Sequence, residues 1–337
     1  MAGTPLKWGI LGTTFIADVM ATAIQNSPYS RLHAVAGRDL QRTQVFQAKF
    51  PSAQLHINME ALLADPEVDV VYIALPNHVH HSWCVRAAAA GKHILCEKSL
   101  SIDMPKTQEM LAAVEASTGF FAEGLMYLAH PFTARIVELL QDGRLGALKS
   151  IQAHYAADIW QLVNPAGRGA IYNLGCYPVS LVQLVVQTML GTDAFQARRS
   201  WGSGHVSAHD GNISEALLGL RFDAGVLASV HTAETHGMGW SFSVTGTQGT
   251  LQCISNPWLP TADDNELLWT PFNGAAERIT VQAEGDAFDY QVRMVEQHVC
   301  QHARIAQRPS PRPSDSHEIM ELLTDWETHA RASAQAV

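Results

Sequence analysis

Residues 70–100 read VVYIALPNHVHHSWCVRAAAAGKHILCEKSL. Two short β-branched runs, Val68–Leu75 and His93–Cys96, are bounded by Pro76 and Gly91 and predict strands. The Ala-rich stretch between them predicts a helix. Parallel strands joined by a helix bring both carboxyl ends to one sheet edge, where open α/β sheets bind their ligands. Leu75, Pro76 and Asn77 leave the first strand at that edge, with His80 just inside the helix; Glu97 and Lys98 leave the second. All six are candidates for lining a cofactor, and Lys98 is also a candidate for chemistry.

The N-terminus supplies the cofactor's other half. Leu6–Leu11 predicts a strand, and Gly12, Thr13, Thr14, Phe15, Ile16 and Ala17 open an amphipathic helix running to about Asn26. This is a dinucleotide fingerprint, G-x-G-x-x-G/A, with Thr14 in the place of the second glycine. The first glycine permits the tight turn, and the final small residue lets helix and strand approach. The backbone N–H groups at the helix start face a pyrophosphate. The next strand, Leu32–Ala36, ends in Gly37-Arg38-Asp39 rather than in the carboxylate that accepts from a ribose 2′-OH. Gly37 leaves space, and the planar fork of Arg38 suits a 2′-phosphate. NADP(H) is therefore the expected cofactor, with NAD(H) kept open by Asp39.

Composition excludes several classes. The chain has 337 residues, 47% hydrophobic, with a net charge of −10, which argues against nucleic-acid binding. No apolar run is long enough for a membrane span, and MAGTPLKWGIL lacks signal-peptide architecture. The five cysteines, Cys84, Cys96, Cys176, Cys253 and Cys300, are scattered and odd in number, as in reduced cytoplasmic proteins. Sixteen histidines are present, but none has zinc-site spacing, and no metal is expected.

Strand and helix alternate through about Phe121, the rhythm of a doubly wound parallel sheet. A helix at 131–141 and a strand at Ala147–Ala156 follow, then an apolar helix from Ile171 to Met189. Alternating runs at 194–202, 212–222, 225–235, 239–245 and 249–254 predict an open, mostly antiparallel sheet with helices on one face. Asp223-Ala224-Gly225 and Gly246-Thr247-Gln248-Gly249 read as hairpin turns with glycine supplying positive φ. The division is thus an α/β Rossmann domain at 1–122 and an α+β substrate and oligomerisation domain at 123–337. Two copies, or four, are expected to pair through the open sheet.

The segments WGILGTTFIA, ALPNHVHHSW, AGKHILCEKSL, EGLMYLAHP, DGRLGALKSI, GRGAIYNLGCYPVS and VTGTQGTLQC, in that order, resemble the Gfo/Idh/MocA family. This is the glucose–fructose oxidoreductase and inositol dehydrogenase group. The GCYP segment is most similar to its dihydrodiol and NADP-linked xylose dehydrogenases. The resemblance implies a catalytic lysine in a Glu-Lys-Pro motif, here Glu97-Lys98-Ser99. It also implies an aspartate followed four residues later by a histidine or tyrosine, here Asn173 and Tyr177. Residues four apart share a helix face, so both side chains are expected to point at the nicotinamide.

The implied reaction is hydride transfer between NADP(H) and a hydroxyl carbon of a sugar, cyclitol or diol. Tyr177 is the expected acid/base, because a phenol both donates and accepts. Lys98 would hold the reacting oxygen. Tyr127, Tyr155, Trp160, Arg168, Asn173 and Tyr177 are the expected substrate contacts, rings and amides suiting a small polyol. Asn173 in place of a carboxylate and Ser99 in place of proline depart from the family pattern. Two other classes stay open: a non-redox enzyme that retains NAD(H) and acts on glycosides by transient oxidation, and a catalytically silent nucleotide sensor.

Overall fold

The computed structural model describes residues 4–223 and 225–335. Ala224 of the expected Asp223–Gly225 turn and the start of the N-terminal segment lie outside the described residues. The chain divides into two compact units, Met1–Ala129 with Ala287–His317 and His130–Asp286 with Glu318–Val337.

The first unit is built from β1 (Leu6–Leu11), α1 (Phe15–Asn26), β2 (Ser30–Ala36), α2 (Leu40–Lys49), β3 (Gln54–Leu55) and α3 (Met59–Ala64). It continues with β4 (Val70–Ile73), α4 (Asn77–Ala89), β5 (His93–Cys96), α5 (Met104–Ala116) and β6 (Phe121–Glu123). The six strands are all parallel, in the order β3-β2-β1-β4-β5-β6. Every residue of β4 is buried, as a strand covered on both faces must be, which explains its unbroken apolar run. Helix starts are encoded by short polar side chains: Asn58 and Asp103 each accept a backbone N–H at the start of α3 and α5. Strand order reverses between β1 and β4, and there the carboxyl ends of the strands open a crevice.

The second unit contains α6 (Pro131–Gln141), β7 (Leu148–Ala157), a π turn (Ile171–Gly175), α7 (Cys176–Leu190), β8 (Arg199–Val206), β9 (Ile213–Arg221) and β10 (Leu227–Ala233). After them come β11 (Met238–Gly246), β12 (Gly249–Cys253), β13 (Asn265–Pro271) and β14 (Glu277–Val281). The eight strands run β14-β13-β12-β11-β7-β10-β9-β8; β7 and β10 pair in parallel and the other neighbours antiparallel. Alternation decides the faces: Ala216, Leu218 and Leu220 of β9 are buried while Leu217 is exposed. Helix α7 is buried on all sides from Cys176 to Gln187, which accounts for its apolar sequence. On the open face Trp201, Leu217 and Leu227 stand more than half exposed, at 54%, 56% and 51%. Trp201 lies flat over Gly219, where a Cβ would come within 2.2 Å of the indole.

Two helices complete the chain, α8 (Ala287–Cys300) and α9 (Pro313–Ala334). The division at residue 122 differs from this arrangement. Val292 and Val295 of α8 are fully buried in the core of the first unit, beside Trp8, Met20 and Ile24, so Ala287–His317 belongs with the Rossmann sheet. Strand β8 starts at Arg199 rather than 194, and β13 and β14 have no counterpart in the sequence reading. Gly225 has φ of 74°, as its turn requires, but Gly246 and Gly249 are not in the left-handed region. Gly246 is needed for space instead, because a Cβ there would lie 2.0 Å from the carbonyl oxygen of Leu145.

Candidate functional site

The expected site residues fall in both units. Gly12 to Ile16, Gly37, Arg38, Leu75, Pro76, Asn77, His80, Glu97, Lys98 and Tyr127 belong to the first; Tyr155, Trp160, Arg168, Asn173 and Tyr177 belong to the second.

In the first unit the dinucleotide turn has the geometry its function needs. Gly12 has φ of 109°, and a Cβ on it would sit 2.4 Å from the carbonyl oxygen of Ala74 at the end of β4. Its N–H donates to the Ala36 carbonyl at 2.8 Å, tying β1 to β2. Thr14 stands at the N-cap of α1 without capping it, and its hydroxyl donates to the Ala74 carbonyl at 3.2 Å. The side chain that replaces a glycine is thereby folded back onto the sheet. Phe15 is exposed, and Ala17 is fully buried where helix meets strand. A turn with an obligatory glycine and a helix start behind it fits a dinucleotide pyrophosphate.

At the end of β2, Gly37 is packed against Thr43, whose hydroxyl oxygen would lie 2.5 Å from a Cβ. Arg38 is exposed at the strand end. Asp39 is committed elsewhere: its Oδ1 accepts from the N–H groups of Gln41 at 2.9 Å and Arg42 at 3.1 Å, capping α2. The carboxylate that kept a ribose contact open is therefore a helix cap. Burial and then the Arg38 guanidinium push the pKa of His78 down.

Lys98 follows the carboxyl end of β5, and its peptide bond to Ser99 is cis. Glu97 is buried beside it. Its Oε1 accepts from the Tyr72 hydroxyl at 2.6 Å and its Oε2 from the Lys98 N–H at 3.3 Å. Burial raises the pKa of Glu97, opposed by the Lys98 charge. The carboxyl lies against Gly124, where a Cβ would come within 3.1 Å of Glu97 Oε1. Glu123, level with Cys96 on β6, is 1% exposed, with the Ser316 hydroxyl and the Leu100 backbone beside its carboxyl. Burial pushes its pKa up to about 7.

Two residues expected on the ligand edge are turned inward. His80 is fully buried, with Nδ1 2.9 Å from the Ser99 carbonyl and Nε2 2.6 Å from the Leu75 carbonyl. Burial drives its pKa down to about 4 against the pull of both carbonyls. The ring pins the turn after β4 to the residue following Lys98 and offers no face to a ligand. Tyr127, in a 3₁₀ turn at Met126–Ala129, is likewise fully buried, so it packs rather than contacts substrate.

In the second unit Asn173 sits in the π turn and Tyr177 in the first turn of α7. A π turn winds more residues per turn than an α-helix and marks functional sites frequently. Asn173 Nδ2 donates to Oε2 of Glu234, beyond the end of β10, at 2.7 Å. The Tyr177 ring meets Tyr155 edge-on at a centroid distance of 5.5 Å, and Tyr155 packs on Trp258 at 5.0 Å. Burial raises the pKa of Tyr155. Trp160 meets His209 edge-on at 4.7 Å. Arg168 is not aimed at a substrate. Its φ is 71°, and its guanidinium pairs with buried Glu327 of α9 at 2.9 Å, over the Tyr172 ring.

Tyr72, Glu123 and Glu234 were not among the expected site residues. Glu123 stands in a quoted motif but carries no sign of its burial. Glu234 lies in VLASVHTAETHG, which reads as a strand ending in solvent.

Both units have counterparts among known proteins. Residues 6–124 match the model described as "Oxidoreductase family, NAD-binding Rossmann fold", and residues 133–252 match the "GFO/IDH/MocA C-terminal domain". The trans-1,2-dihydrobenzene-1,2-diol dehydrogenase of Mus musculus is 29% identical over 263 residues, covering 76% of this chain and 76% of that protein. An oxidoreductase of Rhizobium meliloti, ORF334, is 29% identical over 266 residues, 77% of each chain. The 3-ketoreductase KijD10 from Actinomadura kijaniata, solved with NADP and TDP-benzene, superposes with a TM-score of 0.85 at 24% identity, over 97% of this chain and 98% of that one. A levoglucosan dehydrogenase solved with NADH and levoglucosan gives 0.80 at 18% identity, over 99% and 98%. With a stretch of each unit matched in chain order, the chain belongs to the GFO/IDH/MocA family of oxidoreductases.

Proposed function

We propose that this protein transfers hydride between a nicotinamide and a hydroxyl-bearing carbon of a sugar, cyclitol or related diol, with NADP(H) preferred over NAD(H). The observation that carries the reading lies within the first unit. Gly12, the Leu75–Asn77 turn and Glu97-Lys98 leave β1, β4 and β5 at one edge, so a dinucleotide turn and a buried-carboxyl–lysine pair share one crevice. The relatives support the substrate class, acting on a dihydrodiol or solved with a nucleotide-linked group or an anhydrosugar. Arg38 exposed at the β2 end, with Asp39 occupied as a helix cap, supports the 2′-phosphate.

When bound, the nicotinamide accepts or returns the hydride. The residues of this chain handle the proton and the geometry. As the alcohol carbon gives up hydride, the Lys98 ammonium steadies its oxygen as it becomes a carbonyl; Tyr177 is the proposed acid/base, taking the hydroxyl proton as it passes its own to solvent, and the reverse direction returns both. Tyr155, Trp160 and Asn173 bring rings and an amide to a polyol. Glu97 and Tyr72 hold the backbone from which Lys98 projects.

Copies of the chain pair through the open face of the eight-stranded sheet, where Trp201, Leu217 and Leu227 form an exposed apolar patch. A cytoplasmic setting is supported by the five cysteines, none of which is in a disulfide. No helix among the described residues is long and apolar enough to cross a membrane.

The test is deuterium transfer. A substrate from a panel of aldoses, cyclitols and vicinal diols, deuterated at the reacting carbon, yields deuterated NADPH. Product formed with no deuterium in released cofactor would replace this reading with the retained-cofactor, non-redox one.

A further inference from the structure

We propose that Glu234 is the positioning carboxylate of the Asn173–Tyr177 face: it fixes the Asn173 amide and supplies, from the sheet, the negative charge that asparagine withholds at position 173. The inference rests on the oxidoreductase reading and adds to it a residue outside every recognised motif.

Glu234 Oε2 accepts from Asn173 Nδ2 at 2.7 Å, and the glutamate is 2% exposed. Its backbone is fixed on both sides. The N–H donates to the Ser214 carbonyl at 3.0 Å, and the carbonyl accepts from the N–H groups of Ile159 and Trp160, each at 3.0 Å. A carboxylate so held is not a surface side chain that has folded inward. An amide carries its donor and acceptor on opposite sides. Engaging Nδ2 with Glu234 therefore turns Oδ1 of Asn173 away from the sheet, where it can accept from a substrate hydroxyl.

The charge on Glu234 controls that orientation. Around it stand Asn173 from the π turn, Ser214 from β9, the Ile159–Trp160 backbone after β7, and Asp210 from the loop between β8 and β9; Asp210 is the charged group of these. Burial, reinforced by Asp210 and opposed by the Asn173 bond, pushes the pKa of Glu234 up to about 7. Above that pH the carboxylate accepts from the amide. Below it the carboxyl has an O–H of its own, which can donate to Oδ1 and release the amide to turn over. The face that Asn173 presents is thus set by one proton on Glu234.

The closing experiment has an arm that needs no substrate. In protein carrying ¹⁵N-asparagine, the Asn173 side-chain amide resonance, identified by its loss in Asn173→Ala, is followed from pH 5 to 9. It is expected to move with a midpoint near 7 and to stay fixed in Glu234→Gln. A resonance that is pH-independent in the wild type, or moves equally in Glu234→Gln, overturns the proposal. The second arm uses whichever panel substrate turns over. Glu234→Gln should lose at least tenfold in kcat/KM together with its pH dependence near 7. Asn173→Asp/Glu234→Gln, with the charge moved to the helix, should recover most of the rate with the acid limb at lower pH. A pH profile unchanged in Glu234→Gln contradicts the proposal. NADPH binding by each variant reports that the fold is intact. If no substrate turns over, the functional reading fails while the amide resonance still decides the role of Glu234.

Discussion

The Tyr72 hydroxyl donates to Oε1 of Glu97 at 2.6 Å, within the buried end of the parallel sheet. It joins β4 to the residue preceding Lys98, so the lysine's backbone is held from the neighbouring strand. Tyr72→Phe deletes the donor and leaves a buried acceptor short of a partner, at a cost of about 1–3 kcal/mol. The expected result is a lower urea midpoint with an unchanged slope, and slower turnover. An unchanged midpoint would mean that the bond contributes nothing.

Glu123 gives a pH dependence whose sign is fixed. Burial raises its folded-state pKa to about 7, above the ordinary carboxyl value of an unfolded chain. Its contribution is therefore fully present below the unfolded value and is lost as pH rises through the folded one. Glu123→Gln, which cannot ionise, should raise Tm relative to wild type at pH 8 and match it near pH 4.5. The difference corresponds to on the order of 3 kcal/mol. A variant destabilised equally at both pH values would show that the carboxyl is needed for its shape.

Arg38 predicts cofactor choice. Arg38→Ala should weaken NADP⁺ binding roughly tenfold or more, the scale of a lost charge-assisted contact, and leave NAD⁺ unaffected. Fluorescence titration at fixed ionic strength measures both. Equal losses for the two cofactors would remove Arg38 from the 2′-phosphate.

The open sheet face predicts assembly. Leu217→Arg places a charge in the centre of the Trp201–Leu227 patch and should convert an oligomer to monomer in sedimentation. A wild-type monomer, or an oligomer untouched by the substitution, would put the interface elsewhere.

What was legible in the sequence follows the range of the interactions. The βαβ units could be read because strand, turn and helix are contiguous, and Gly12 has a local reason to be glycine. Burial of individual motif residues could not. His80, Tyr127 and Arg168 sit at motif positions that look accessible, yet each is committed to a carbonyl pair, a core or a buried glutamate by partners distant in sequence. The segment Ala287–His317 escaped assignment to the Rossmann sheet for the same reason, since Val292 and Val295 find their core across most of the chain. Glu234 was invisible because 61 residues separate it from Asn173, with no spacing rule linking them. The π turn at Ile171–Gly175 replaces the α-helical turn on which the pairing of Asn173 with Tyr177 by spacing relied.

The most direct test of the central claim is nicotinamide absorbance with NADP⁺ and the panel of aldoses, cyclitols and diols, wild type beside Lys98→Ala. Wild type should reduce NADP⁺, and Lys98→Ala should lose turnover with NADP⁺ binding largely retained. Reduction at the same rate in both proteins would contradict that claim.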